Sequence, residues 1–133
     1  MKTRMKSIVF SLLAVLVSGS MTDIAKANDK KSARVLRHVV CFKFKKNATP
    51  AQIERVVREF AALEKKIPLI QGFEMGTNNS PEKLNKGFTH CFVVTFGSEK
   101  DRNDYLPHPE HRKFVLVLKP ILDDVFVFDY WTN

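Results

Sequence analysis

The order of patterned segments predicts an α+β domain, β-α-β-β-α-β, with helices on one face of an antiparallel sheet: the ferredoxin-like split βαβ arrangement. Three observations predict it. Four stretches rich in β-branched and aromatic residues start near positions 35, 69, 90 and 125. A strongly amphipathic helical stretch separates the first two, and a second helical stretch separates the last two. The connections between them are short and rich in turn residues.

The N-terminus is read first, because it is set apart from the domain. Lys2, Arg4 and Lys6 precede an uncharged apolar run from Ile8 to Val17. That run is too short to span a bilayer and has the length of a secretory h-region. Ala25-Lys26-Ala27 has the small-x-small form of a cleavage site, with Ser18-Gly19-Ser20 as an earlier alternative. Residues 1–27 are therefore expected to be a signal peptide, residues 28–34 a polar linker and residues 35–133 the domain. The mature protein is expected to be exported, periplasmic or secreted, and free of the membrane after cleavage. Removal of Lys2, Arg4, Lys6, Lys26 and Asp23 reduces the formal net charge from +8 to +5. The remaining Lys and Arg are interleaved with acids and form no stripe with aromatics, so nucleic acid is not an expected partner.

The segment Val35 to Phe44 reads as the first strand, with His38, Val40, Phe42 and Phe44 on one face and Val39, Cys41 and Lys43 on the other. Thr49-Pro50-Ala51-Gln52 has the sequence of a capping box with proline at the first helical position. Ile53, Val56, Val57, Phe60 and Leu63 follow at helical spacing, and Pro68 ends the run. Leu69 to Asn78 is a weaker second strand, and Gly76 to Gly87, polar and rich in turn residues, is a loop. His90 to Phe96 is the third strand, with His90, Phe92, Val94 and Phe96 on one face. Ser98 with Asp101 starts a short helix through Asn103, which places Tyr105 on the loop that follows. A helix with Phe114, Val115 and Leu118 inward then runs to near Pro120, and Val125 to Trp131 is the last strand.

One layer of helices covers only one sheet face. The other face carries Val39, Cys41 and Val93, so a homodimer with sheets packed face to face is expected.

Chemistry-bearing residues concentrate in Tyr105-Leu106-Pro107-His108-Pro109-Glu110-His111. Pro109 suits the first turn of a helix, on which His108 and His111 are three apart and lie on one side. His38 and His90 sit among apolar residues on their strands, which is the pattern of a satisfied core histidine or of a polar spot in an apolar pocket. Four histidines also raise a metal site, but no cysteine or carboxylate joins the His108 and His111 pair, and no metal or other cofactor is expected. Asp129, in the apolar last strand, is either a partner for a histidine or, more commonly, a buried anion held by backbone donors. Cys41 and Cys91 lie on the face opposite the histidines, where a cross-strand disulfide is open if the register agrees, with two buried thiols as the commoner alternative.

These residues resemble a known family. His38-Val39-Val40-Cys41-Phe42-Lys43-Phe44-Lys45, Gly76-Thr77-Asn78, Gly87-Phe88-Thr89-His90, Tyr105 to His111 and Phe128-Asp129-Tyr130 are similar to the stress-responsive A/B barrel (Dabb) family over about residues 37–131. The resemblance implies a dimeric α+β barrel of ferredoxin-like subunits. It is also similar to a plant branch of cofactor-free polyketide cyclases that catalyse an intramolecular aldol condensation. Carried over by motif, the resemblance implies His111 as general base and Tyr105 as the phenol holding the reacting carbonyl. His38 and His90 are then pocket residues. With Phe42 and Phe92 beside those histidines, and Val57 and Phe60 on the helix, they make up the expected binding set. Three readings stand: a dimer that binds a small apolar or aromatic molecule, a cofactor-free cyclase or lyase, and a purely structural dimer whose pocket Phe42 and Phe92 fill.

Overall fold

Strand β1 (Leu36–Phe44) occupies the middle of a four-stranded antiparallel sheet of order β2-β3-β1-β4, in the computed structural model, which describes residues 34–133. The partners are β2 (Gly72–Thr77), β3 (His90–Phe96) and β4 (Leu122–Trp131). Four helical segments lie between them: α1 (Pro50–Ala61), α2 (Leu63–Lys66), α3 (Glu99–Tyr105) and α4 (Pro109–Leu118). This is the expected ferredoxin-like order. The expected leader, residues 1–27, and residues 28–33 of the expected linker lie outside the described residues. Among the described residues no helix is long and apolar enough to cross a membrane.

Local chemistry accounts for the helix starts. The Gln52 amide donates to the Thr49 hydroxyl, and the Thr49 amide donates back to the Gln52 side chain at 2.9 Å, closing the capping box. Ser98 accepts from the Asp101 amide at 3.0 Å and starts α3. His108 does not share a helical face with His111. It is the N-cap of α4, and its Nδ1 accepts from the Glu110 amide.

The structure departs from the sequence reading at several points, the start of β4 at Leu122 among them. β2 begins only at Gly72, because Pro68 and Leu69 turn the chain and bring the Ile70 amide to the Ile67 carbonyl. α3 continues to Tyr105, so the phenol is carried by a helix and not by a loop. Val115 faces the margin of α4 and is exposed, while Phe114 and Leu118 point inward.

The core lies between the helices and one sheet face. Phe42, Phe60, Phe92 and Phe114 form its centre, with Phe60 ring centroids 4.7 Å from Phe92 and 4.5 Å from Phe114. Truncating a ring in such a cluster to alanine typically costs about 3–5 kcal/mol. The helices cover β1 and β3 but leave the edge strand β4 exposed on both faces. Val125 and Val127 look to the helix side, where they pair with Phe42 and Val40; Phe126, Phe128 and Tyr130 look to the open side.

Candidate functional site

The helix side of β4 encloses a cavity of about 370 Å³, because no helix packs squarely over that edge. β1 contributes His38, Val40 and Phe42, and α1 contributes Phe60. α3 contributes Arg102 and Tyr105, while α4 contributes His111, Phe114 and Leu118. Val125, Val127 and Asp129 complete the wall from β4. Most of that lining is hydrocarbon, with the polar groups gathered at one end, the usual make-up of a small-molecule site.

Tyr105 is fully buried, and its hydroxyl has no hydrogen-bond partner. A buried donor without a partner costs about 1–3 kcal/mol, so it is rare unless something else satisfies it. Burial also pushes the phenol well above its ordinary pKa, which keeps it an O–H donor.

His111 packs against it, with ring centroids 4.4 Å apart. The His111 Nδ1 lies 2.9 Å from the Leu106 carbonyl. A carbonyl oxygen only accepts, so Nδ1 carries the proton and the neutral ring keeps its lone pair on Nε2. Burial, only partly opposed by the Leu106 bond, lowers the His111 pKa from its ordinary value, and His38 and His108 lower it further. The ring is therefore held as a free base at neutral pH.

His38 is buried opposite Asp129 in the β1–β4 register, and its Nδ1 donates to the Asp129 carboxylate at 2.7 Å. The other oxygen of that carboxylate accepts from the Arg102 guanidinium. Asp129 is thus a side-chain partner for histidine and arginine, the less common of the two readings of the sequence. The His38 ring stands edge-on to Tyr105 at 6.1 Å.

The structure divides the predicted site residues. His38, Phe42, Phe60, Tyr105 and His111 meet in the cavity; His90, Phe92 and Val57 do not. His38 pairs with Val94 and His90 with Phe42, so the two histidines stand four residues apart, about 13 Å along the strands. Between them Phe42 and Phe92 pack at 5.0 Å and fill the space. His90 is only half buried, lies 5.2 Å from Phe44, and with Val57 edges a separate shallow hollow beside Met75. Partial burial lowers its pKa. Phe42 and Phe92 therefore plug the route from His90 to the site but leave the His38 end open.

Sequence reading missed Arg102, Phe114, Leu118, Val125 and Val127 as cavity residues. Arg102 would have been found had α3 been continued to Tyr105, since the two are three apart on one helix. Among the described residues no cluster of three or more His, Cys, Asp or Glu side chains is placed to hold a metal ion.

The model of the stress responsive A/B barrel domain matches residues 36–132. The stress-response A/B barrel domain-containing protein HS1 of Arabidopsis thaliana is 35% identical over 95 residues, covering 71% of this chain and 87% of the relative. Olivetolic acid cyclase of Cannabis sativa is 30% identical over 95 residues, covering 71% and 94%. The structure of the hydroxynitrile lyase from Passiflora edulis superposes with a TM-score of 0.71 at 25% identity, covering 76% of this chain and 95% of that one. Ferredoxin-like proteins from Thermobifida fusca and Bacteroides fragilis, 23% and 24% identical, share the fold with TM-scores of 0.65 and 0.61 and are dimeric.

Proposed function

Because the chain belongs to the stress-responsive A/B barrel domain family, we propose that it is an exported homodimer that binds a small apolar or aromatic molecule in the cavity between α3, α4 and β4. The unpartnered, buried hydroxyl of Tyr105 carries this reading. A ligand with a carbonyl oxygen at the polar end and a hydrocarbon or aryl body over Phe42, Phe60 and Val127 satisfies the phenol and fills the apolar space. The N-terminal sequence pattern supports export. The dimer follows from the open sheet face, where Val39, Phe126 and Phe128 lie exposed or half-exposed.

A second reading is favoured by the tautomer of His111. With Nδ1–H held by Leu106, Nε2 can take a proton from a carbon next to the ligand carbonyl. Tyr105 then donates to the enolate oxygen that develops, and the Asp129–His38 pair fixes the far wall. Proton transfer of this kind needs no cofactor. The similarity to a cyclase and a lyase supports this class of chemistry without naming the substrate.

The test follows the α-protons of acetophenone by NMR in heavy water, with wild type, Tyr105→Phe and His111→Gln. Saturable protection or shift of acetophenone lost in Tyr105→Phe supports binding. Exchange above background that His111→Gln abolishes supports catalysis. If acetophenone and a straight-chain ketone of similar size both leave the spectra of the protein unchanged, the binding proposal fails.

A further inference from the structure

Cys41 and Cys91 face one another directly across the β1–β3 pair. Both side chains project from the open face, away from the cavity, and both are half-buried. Cα atoms opposed on adjacent antiparallel strands stand about 4.5–5.5 Å apart, inside the range a disulfide spans. Burial first, and then the neighbouring Cys91 thiol, push the Cys41 thiol up to about 11. Phe126, opposite Cys41 on the other side of β1, and Phe88 shield the pair at the edge of a hollow of about 390 Å³. Neither thiol has a role in the cavity chemistry.

We propose that Cys41 and Cys91 form a disulfide within one subunit, stapling the two central strands of the sheet. The oxidant is a disulfide of a thiol compound or of a thiol-oxidising protein. One cysteine thiolate attacks a sulfur of that disulfide and expels the first thiolate, leaving a mixed disulfide on the protein. The second cysteine, once deprotonated, attacks the bonded protein sulfur and expels the other thiolate. Two protein thiols and one external disulfide become one protein disulfide and two external thiols, so atoms and electrons balance. The bond closes within the subunit because strand register holds the partner sulfur directly opposite, a placement that no register imposes on a cysteine of a second copy. It joins residues fifty apart, so it removes a long loop's freedom from the unfolded chain.

The full-length chain, equilibrated with oxidised glutathione and then unfolded in a thiol-alkylating reagent, tests this by intact mass. The expected product carries no alkyl group and weighs two hydrogens less than the reduced chain; prior reduction adds two alkyl groups. Cys41→Ser and Cys91→Ser should each give one alkylated or glutathionylated thiol. Reduction of the oxidised wild type should lower its Tm by several degrees and leave that of Cys41→Ser unchanged. Two alkyl groups without reduction, stable glutathione adducts on the wild type, or a disulfide-linked dimer would each overturn the proposal. Closure seen only when the chain is oxidised during refolding still upholds the pair and shows that the sheet face is covered once folded.

Discussion

The rings of Tyr105 and His111 lie 4.4 Å apart at one end of an apolar cavity, one with an unpartnered hydroxyl and the other with its Nδ1 fixed by the Leu106 carbonyl. They are six positions apart in sequence, yet they come from different helices, α3 and α4. The turn between the helices is tied by the His108 amide donating to the Tyr105 carbonyl at 3.0 Å. The backbone turn and the His111–Leu106 bond together hold the phenol and the imidazole side by side.

Tyr105→Phe removes only an oxygen that has no partner. Its stability is expected to equal or exceed that of wild type by about 1 kcal/mol, since a buried unsatisfied hydroxyl is a cost. Ligand binding is expected to fall. Calorimetric Tm, read beside ligand titration, checks both; a large loss of stability would mean that the hydroxyl has a structural partner.

His111 makes the fold sensitive to acid. Its folded pKa is below its ordinary value of 6.5. The unfolded chain therefore binds more protons between the folded value and 6.5. Its contribution to stability is complete above about 6.5 and is lost as pH falls through the folded value. His90 is lowered as well and adds a contribution of the same sign. Denaturant midpoints measured from about pH 7.5 down to about pH 4.5 should decline for wild type and decline less steeply for His111→Gln. If His111 is the base, turnover should persist to mildly acidic pH, because the neutral ring survives there.

Asp129→Asn should cost about 1–3 kcal/mol, since it leaves His38 and the Arg102 guanidinium without their shared carboxylate in a partly buried setting. Urea titration reads the loss. The double change Asp129→Asn with Arg102→Leu should recover part of it, because the stranded cation is then gone. Equal losses in the single and double variants would show that the guanidinium does not depend on Asp129.

His90→Leu separates the structure from the family resemblance. The resemblance places His90 in the pocket, whereas the fold sets it behind Phe42 and Phe92. Binding and turnover are expected to be unchanged in this variant and lost in His38→Leu. Loss in both would mean that the ligand opens a path between those two rings.

Phe128→Lys should yield a monomer with native far-UV circular dichroism. Phe128 sits opposite Val39 on the open face and is 56% exposed in the single chain. A charge there opposes burial of that face against a second copy. Sedimentation of wild type and variant decides it, and a monomeric wild type would remove the dimer from the proposal.

Most of the fold was legible because its determinants are local. The alternation His38-Val40-Phe42 against Val39-Cys41-Lys43, the Thr49 to Gln52 capping box and the Ser98 cap each act within a few residues, and each is realised. Tyr105 departs from the sequence reading for a tertiary reason. No strong local signal carries α3 past Asn103, but packing of Tyr105 against Phe96 at 5.1 Å favours the extra turn. The site is legible only in part: His38, Phe42, Phe60, Tyr105 and His111 converge, whereas the family resemblance brings in His90, and apolar patterning on β3 and α1 brings in Phe92 and Val57, without fixing where along those faces the void lies.

The sequence by itself determined the element order, the face on which each strand residue sits and the residue types available for proton transfer. These follow from side-chain periodicity and backbone capping, which need no knowledge of neighbours. Only the tertiary structure decided that β1 slides against β4 to bring His38 to Asp129, and against β3 to bring Cys41 to Cys91. Only it decided that the edge strand leaves a cavity at the His38 end while aromatic rings close the His90 end. The physical reason is that strand register and void placement depend on how whole side chains fill a shared volume, a property of pairs distant in sequence.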